Sequence, residues 1–318
     1  MTGPDEVAGV VVIDDVVIDG EPEGLSHLRP AARELARLPD TERLGYVRAD
    51  RWIGYTRANE ALAELEALFS WPVKQRMPNL LLIGATNNGK SMIIEKFRRS
   101  HPPISHAGRE EIPVLAVQMP SEPSATRFYT ALLAALGAPL RRRQRLAELE
   151  QLALSLLREV EVRVLVIDEL HNVLAGRGDT RREFLNLLRF LGNELRIPLV
   201  GGGTREAYLA IRSDAQLENR FAPFVLPRWV PDEQTCSLLA SFAAAFPLRR
   251  PSAIATPEMA EYLLTRCEGT IGELTHLLTD AAVVAIETGQ EAINQRTLLL
   301  ASYSGPTERR RCFERELL

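Results

Sequence analysis

The run Gly84-Ala-Thr-Asn-Asn-Gly-Lys-Ser91 constrains this chain more than any other feature, because it matches the pattern G-x-x-x-x-G-K-[ST] at every specified position. An apolar run at Asn79–Ile83 precedes it and predicts a buried strand, and the pattern over Lys90–Arg99 predicts a helix. In such a strand–loop–helix, the loop N–H groups and the helix N-terminus offset the negative charge of phosphates. The context therefore predicts a nucleotide site, and a glycine-rich structural turn is the alternative.

Every residue of this loop is a predicted nucleotide contact. The set is Gly84, Ala85, Thr86, Asn87, Asn88, Gly89, Lys90 and Ser91, with Met92 just after the loop. We expect the Lys90 ammonium group to reach the β- and γ-phosphates of ATP, and the Ser91 hydroxyl to ligate Mg²⁺. ATP and Mg²⁺ are thus the expected cofactors, and Lys90 is also a predicted catalytic residue.

A second pattern, Val164-Leu-Val-Ile-Asp-Glu169, places two carboxylates after four apolar residues. Open α/β sheets bind ligands at the C-terminal ends of their strands. Asp168 is therefore a predicted Mg²⁺ ligand, and Glu169 is the predicted general base for the attacking water. Buried strands often end in acids, so the pattern becomes specific only because it accompanies the Gly84–Ser91 loop.

Apolar runs alternate with helical patterns between residues 79 and 226, which predicts parallel strands with helices on both faces of the sheet. Two helix–strand units separate the loop from the acidic pair, as in the additional-strand ATPases that include the AAA+ class. The expected fold is an AAA+ P-loop core with a five-stranded parallel sheet flanked by helices, plus a C-terminal helical lid domain. The expected domains are an acidic, flexible tail (1–27), the α/β nucleotide-binding domain with its N-terminal linker (28–230), the helical lid (231–302) and a C-terminal tail (303–318).

Charge is unevenly distributed along the chain. The net charge is −4, but residues 1–24 hold seven acidic residues and no Lys or Arg, which leaves +3 for the remainder. An acidic total therefore does not argue against a nucleic-acid partner. The three cysteines are far apart, no window holds eighteen consecutive apolar residues, and the N-terminus lacks a signal-peptide pattern. These observations favour a cytoplasmic protein with reduced thiols and no membrane partner.

Three further positions carry functional hypotheses. Thr204 follows the run Pro198–Gly202 and is a candidate sensor of the γ-phosphate, with a helix N-cap as the alternative or additional role. Arg220 stands just before the final strand, where AAA+ proteins usually carry a trans-acting arginine finger; a surface arginine in an ion pair is the alternative. Ile53 and Tyr55 are candidate walls of the adenine site, and plain core residues are the equal alternative.

With these residues placed, the sequence resembles the TniB family, AAA+ regulators of transposition related to TnsC and more distantly to MuB. The resemblance covers about residues 43–300. The motifs that carry it are Arg51-Trp-Ile-Gly-Tyr, Thr-Asn-Asn-Gly-Lys-Ser91, Ile167-Asp-Glu-Leu-His-Asn172 with Leu174-Ala-Gly176, Asp214-Ala-Gln-Leu with Arg220-Phe221, and Leu226-Pro with Trp229. One departure is Glu273, near the place where AAA+ lids often carry an arginine that faces the phosphates.

The resemblance implies an ATP-dependent adaptor of a mobile element. Such proteins form homo-oligomeric rings or helical filaments on double-stranded target DNA and recruit a DDE-type transposase. ATP hydrolysis then disassembles the complex and restricts target selection.

A protein that coats DNA would present basic side chains on the loops after its second and third strands. The first choices are Arg127, Arg177, Arg181 and Arg182, whose phosphate contacts would be largely independent of sequence. The run 141–145 and Arg309–Arg311 are alternatives, although such runs are more often solvated faces. His171 follows the acidic pair, and a lone histidine there more often orders a loop than performs chemistry.

Rival hypotheses share the nucleotide site. A helicase loader of the AAA+ type would act through protein contacts and would need an N-terminal docking domain, for which residues 1–50 look too short and acidic. A P-loop signalling switch or secretion ATPase would add sensor repeats, a membrane span or a binding domain. A small-molecule kinase would carry its acceptor pocket on a lid inserted within the core, whereas here the extra helices follow the core.

Overall fold

The computed structural model describes residues 24–106, 108–141 and 144–316. Most of the predicted acidic tail and the two central arginines of the run 141–145 lie outside these ranges. The elements in chain order are α1 (Pro30–Ala36), α2 (Asp40–Arg48), α3 (Thr56–Phe69), β1 (Asn79–Gly84), α4 (Lys90–Ser100), β2 (Ile104–His106), β3 (Arg109–Glu111), β4 (Val114–Gln118), α5 (Ala125–Ala135), α6 (Leu146–Glu159), β5 (Val164–Asp168), a 3₁₀ helix (Leu170–Ala175), α7 (Gly178–Leu195), β6 (Leu199–Gly203), α8 (Arg205–Arg212), α9 (Ala215–Glu218), β7 (Phe221–Leu226), α10 (Glu233–Ala245), α11 (Pro257–Arg266), α12 (Ile271–Glu287), α13 (Gln295–Leu300) and α14 (Pro306–Glu316).

The described chain divides into two compact units. One is an α/β unit, Arg57–Pro227, and the other is a helical unit made of the described residues up to Thr56 together with those from Arg228 onward. The second unit is therefore discontinuous in sequence. No described helix is both long enough and apolar enough to cross a membrane.

The α/β unit contains the predicted sheet. Its five strands are all parallel in the order β4-β5-β6-β1-β7, and β2 and β3 form a separate antiparallel hairpin. Every residue of β1 and β6 is buried, as expected for parallel strands covered on both faces. With helices packed on this sheet and a C-terminal helical part, the predicted fold class is confirmed.

The core of the α/β unit joins the sheet to the helices around it. Leu81, Leu165 and Ile167 from the strands meet the fully buried rings of Phe128 on α5 and Phe184 on α7. The two rings pack edge to face with centroids 5.3 Å apart, a geometry that aromatic pairs prefer. The carboxyl ends of β5, β6 and β1 lie side by side in this sheet, and the candidate site residues are found there.

The helical unit has its own core, which includes residues before the α/β unit as well as after it. Val47 and Ile53 are buried with the side chains of α10 to α13. Arg43 on α2 is fully buried, pairs with Glu291 and donates to the Pro247 carbonyl oxygen at 2.9 Å. The sequence analysis assigned residues 28–56 to the α/β domain. Their contacts instead assign them to the helical unit. The partners of Arg43, Pro247 and Glu291, follow it by more than 200 residues in sequence.

The expected C-terminal tail, 303–318, contains a helix of its own. Tyr303 is buried and its hydroxyl donates to Glu273 at 2.9 Å. Arg309 on α14 donates to the other oxygen of the same carboxylate at 2.7 Å. Glu273, which stands near the usual lid arginine, is thus used to fasten the C-terminal helix.

Candidate nucleotide-binding site

The loop between β1 and α4 is held in the shape that its glycines permit. Gly89 has φ of 86° at the start of α4, and Asn87 has φ of 58°; the left-handed region suits glycine and is tolerated by asparagine. At Gly84 a Cβ atom would lie 3.2 Å from Leu226 Cβ, so this position needs glycine because β7 passes close to it.

Asn88 fastens the loop to the neighbouring strand. Its side-chain amide is 2% exposed and donates to the carbonyl oxygens of Leu226 and Pro227, at 3.1 and 2.9 Å. Sequence reasoning grouped Asn88 with the nucleotide contacts, and the structure adds a role that the motif does not reveal. The amide holds the loop against the end of β7.

Lys90 is a buried cation at the start of α4. Its ammonium group donates to the carbonyl oxygens of Gly84 and Ala85, at 3.0 and 2.8 Å, so it curls back over the loop. Burial lowers the pKa of Lys90, and the nearby charges of Asp168 and Glu169 partly offset that effect. A buried cation that contacts only neutral carbonyl groups is suited to an anionic ligand such as a polyphosphate.

The metal-ligand candidates lie together. The Ser91 hydroxyl donates to Asp168 Oδ2 at 2.7 Å, and the Glu169 N–H donates to Asp168 Oδ1 at 2.8 Å. A hydroxyl beside a carboxylate is a hard oxygen donor set of the kind that Mg²⁺ takes in phosphate sites. The predicted pair therefore fits the predicted cation.

Space for the Asp168 carboxylate comes from a glycine on the adjacent strand. A Cβ atom at Gly202 would lie 2.6 Å from Asp168 Oδ1 and 3.0 Å from Ile94 Cδ1. At Gly201 it would lie 2.6 Å from Leu170 Cδ2. β6 thus offers bare backbone where side chains from β5, α4 and the 3₁₀ helix approach it, and these glycines carry no chemical group by which the sequence would reveal their role.

Glu169 adopts a strained backbone and contacts a histidine. Its φ and ψ of 56° and 33° are left-handed, which costs about 1 kcal/mol or more for a residue other than glycine. One carboxylate oxygen lies 3.2 Å from His171 Nε2. His171 Nδ1 is buried without a hydrogen-bond partner among the described residues. The histidine lies against Gly203, where a Cβ atom would be 3.7 Å from Nδ1, and so positions the Glu169 side chain.

Thr204 follows β6 and precedes α8. Its carbonyl oxygen accepts the Ala207 N–H at 3.0 Å, but its hydroxyl does not cap the helix. The hydroxyl donates instead to the Glu206 carboxylate, and this bond lowers the pKa of Glu206. Thr204 is therefore the N-cap residue by backbone geometry, while its role as a γ-phosphate sensor stays a prediction.

Arg220 lies at the other end of the sheet. It precedes β7, whose first residue pairs with Asn79, whereas Gly84 pairs with Leu226. At about 3.3 Å per residue, the five steps from Asn79 to Gly84 span about 16 Å. Arg220 Nη1 donates to Asn193 Oδ1 at 2.8 Å, and within the described chain it forms no ion pair. The structure does not bring Arg220 to its own loop.

The two candidate adenine contacts lie in the helical unit. Ile53 is 7% exposed within its core. The Tyr55 ring packs edge-on against Trp229 with centroids 4.9 Å apart, and burial raises the pKa of Tyr55 to about 12. Both residues therefore have core contacts, and a role at adenine stays a prediction.

The four candidate DNA contacts lie at the starts of α5 and α7, the helices that follow β4 and β5 in the chain. Arg127 is exposed and pairs with Glu122 at 3.1 Å. Arg177, Arg181 and Arg182 lie at the start of α7. The loops before these two helices lie against each other, since a Cβ atom at Gly176 would be 2.3 Å from Pro123 Cγ. A role of the four arginines in DNA contact stays a prediction.

Comparison with known proteins places the chain. The family model described as "Bacterial TniB protein" matches residues 43–231. This chain belongs to the TniB family. No curated protein matches it.

The fold of this TniB-family chain is shared by solved structures of ORC and Cdc6 proteins. The ORC2 protein of Aeropyrum pernix, solved as ADPNP-ADP complexes, has a TM-score of 0.55 at 15% identity over 76% of this chain and 66% of that one. The Aeropyrum pernix ORC1 protein in complex with DNA has a TM-score of 0.55 at 18% identity, over 77% of this chain and 63% of that one. Cdc6p of Pyrobaculum aerophilum has a TM-score of 0.54 at 17% identity, over 76% of this chain and 66% of that one. The chain spans slightly less than two thirds of these proteins, and the likeness shows a shared fold.

Proposed function

We propose that this TniB-family chain binds and hydrolyses ATP, oligomerises on double-stranded DNA and recruits a DDE-type transposase, so that hydrolysis regulates transposition. The observation that carries the proposal is the Ser91–Asp168 hydrogen bond of 2.7 Å beside the buried Lys90. Two segments 77 residues apart in sequence meet there, and they bring the Lys90 cation and the oxygen donors of Ser91 and Asp168 into one site. That arrangement is the one a magnesium-bound triphosphate requires.

The roles of the residues follow from their chemistry. Lys90 would exchange its bonds to the Gly84 and Ala85 carbonyl oxygens for the β- and γ-phosphate oxygens of ATP. Ser91 and Asp168 would hold Mg²⁺, which supplies positive charge to the phosphate oxygens when bound. The loop N–H groups from Gly84 to Met92 would complete the phosphate contacts.

Glu169 is the proposed general base. It would accept a proton from the water that attacks the γ-phosphate, and Thr204 at the end of the adjoining strand would orient the terminal phosphate oxygens. In the described arrangement the Glu169 carboxylate contacts His171 at 3.2 Å. Catalysis would require this carboxylate to face the water instead, so the histidine contact is a resting position of the base.

The DNA and assembly parts of the proposal rest on the family and on the distribution of charge. Arg127, Arg177, Arg181 and Arg182 lie at the starts of α5 and α7, and three of these four residues are exposed. Arginines grouped in this way suit sequence-independent phosphate contact. Arg220, about 16 Å from its own loop along β1, would act on the nucleotide of another subunit.

The test measures ATP hydrolysis by the purified protein with and without double-stranded DNA, together with particle size in a non-hydrolysable ATP analogue. Faster hydrolysis on DNA, with large particles that form only on DNA, is the expected result. Hydrolysis that ignores DNA, from particles of constant size, would contradict the DNA part and favour a helicase-loader type of ATPase. The double variant Arg177→Ala/Arg181→Ala should weaken DNA binding and flatten its salt dependence, and wild-type binding would show that the wrong surface was chosen.

A further inference from the structure

An open cavity of about 500 Å³ lies beside Arg220, away from the nucleotide loop. The loop between α3 and β1 forms one wall, and residues around α9 form the other. Its lining residues are Trp71, Lys74, Arg76, Met77, Pro78, Gln216, Asn219 and Arg220. Three of them are cations and two are amides, so the cavity is rich in hydrogen-bond donors.

Several contacts hold this wall in place. The Lys74 ammonium group lies 5.1 Å from the centroid of the Trp71 ring, a cation–π distance. The Lys74 N–H also contacts the buried Met77 sulfur at 3.2 Å. On the opposite wall, Arg220 is oriented by its bond of 2.8 Å to Asn193. These contacts hold two of the three cationic residues, Lys74 and Arg220, in the lining of the cavity.

The chemistry of the lining selects an anion with several oxygen acceptors. None of the described residues that line the cavity is acidic, so the positive charge is not neutralised within it. Guanidinium and ammonium groups pair strongly with phosphate oxygens, and guanidinium groups do so in a bidentate manner. A volume of about 500 Å³ suits a group of nucleotide size.

The ligand does not come from the chain's own loop. Arg220 is at the amino ends of the strands and the loop is at their carboxyl ends, about 16 Å away along β1. The same sheet therefore carries the phosphate-binding loop at one end and a cationic cavity at the other. Such opposed, unlike surfaces suit a head-to-tail contact between identical chains, which builds rings or filaments.

We propose that this cavity receives the triphosphate bound in the loop of a second copy of the chain, with Lys74 and Arg76 assisting Arg220. The inference rests on the proposed function, because it requires that the loop binds ATP. In this proposal the segment Trp71–Met77 acts together with Arg220, the arginine before β7, on the nucleotide of the neighbouring copy. Lys74 and Arg76 would neutralise phosphate charge, and Trp71 would hold the lysine in position.

The experiment mixes two full-length variants. Lys74→Gln/Arg76→Gln keeps its own loop, and Lys90→Ala keeps its cavity. We expect each variant alone to hydrolyse ATP at least about tenfold more slowly than wild type, since cations supplied in trans have large effects on phosphoryl transfer. In an equimolar mixture, about a quarter of head-to-tail contacts would join an intact loop to an intact cavity, and a matching fraction of the wild-type rate should return.

A matched control replaces the same two residue types, at the same spacing, outside the cavity. Lys96→Gln/Arg98→Gln on α4 removes a lysine and an arginine two residues apart that do not line the cavity, and it should keep the wild-type rate. Binding of a fluorescent ATP analogue by Lys74→Gln/Arg76→Gln should also be unchanged, which shows that its loop is folded.

The possible outcomes separate the two proposals. A wild-type protein that never hydrolyses ATP would remove the proposed function itself. Active wild type with an equally active Lys74→Gln/Arg76→Gln variant, or a mixture whose rate is only the sum of its parts, would overturn the inference about the cavity alone. A tenfold loss of affinity for a double-stranded DNA fragment, with unchanged hydrolysis, would show that the cavity binds DNA phosphates instead.

Discussion

Two buried cations, one in each unit, have opposite kinds of hydrogen-bond partner. Arg43 in the helical unit is fully buried and meets Glu291, Asp40 and the Pro247 carbonyl oxygen. Lys90 in the α/β unit is 5% exposed but contacts only the carbonyl oxygens of its own loop. The charge of Arg43 is compensated within the protein and serves stability, whereas that of Lys90 has no carboxylate partner among the described residues and suits a ligand.

The largest expected effect is on stability. Arg43→Met should lower the free energy of unfolding by about 3–5 kcal/mol, because it removes the buried guanidinium group from Glu291 and leaves that carboxylate only its contacts with the more exposed Arg249. The comparison variant, Lys90→Met, should change stability by less than about 1 kcal/mol, since only bonds to main-chain oxygens are lost, and yet it should lose ATP binding. Urea unfolding of both variants measures the contrast, and equal destabilisation would break the distinction.

Glu169→Gln sharpens the functional side of the comparison. It removes the proposed base while keeping shape, so hydrolysis should fall by about 100-fold or more. ATP affinity and the free energy of unfolding should stay near wild type, because the side chain is partly exposed and, among the described residues, pairs with His171 alone. Single-turnover hydrolysis with a parallel binding titration measures both quantities. Normal turnover would remove Glu169 from its assigned role.

Gly202→Ala tests whether space is part of the site. Its added methyl group would lie 2.6 Å from Asp168 Oδ1, so the carboxylate must leave the position in which its other oxygen accepts from Ser91. We expect the magnesium dependence of ATP binding to weaken by about tenfold, as for mutations that disturb the support of metal ligands. Gly45→Ala, which has no atom within 4 Å of the new Cβ, is the control. Equal metal affinity in both would show that the strand tolerates the methyl group.

The smallest effect concerns pH. Burial raises the pKa of Glu291, but the hydrogen bond from Arg43 and further contacts with Arg43 and Arg249 outweigh it, so the pKa lies below its ordinary 4.5. Stability from this pair is therefore present above pH 4.5 and lost as the pH falls through the lowered value. Glu291→Gln should give a flatter fall in unfolding free energy between pH 5 and 3. A slope equal to wild type would assign acid unfolding to other carboxylates.

Prediction from sequence succeeded where structure is local. The loop and the acidic pair are contiguous patterns, and the strand predicted at Asn79–Ile83 is observed at Asn79–Gly84, because apolar runs mark buried parallel strands. The hairpin of β2 and β3 was missed, since its strands are three residues long and the described side chains of β2 are exposed.

Long-range contacts could not be predicted in this way. Arg43 and Glu291 are 248 residues apart in sequence, and no local pattern indicates that they pair. The same holds for Asn88 with the end of β7 and for Asn193 with Arg220. Residue types predicted what the loop and the acidic pair can do, whereas only the fold shows which residues hold them in place.

The three glycines of β6 have a practical consequence for experiments that map function by mutation. At each of Gly201, Gly202 and Gly203 a Cβ atom would lie within 2.6 Å of a neighbouring side chain. A saturation scan scored only by activity would mark three adjacent positions as intolerant to every replacement. None of the three glycines has a side chain, so such a scan would suggest a catalytic role for residues that only leave space for their neighbours. Pairing each activity score with a measure of folded protein would separate the two cases.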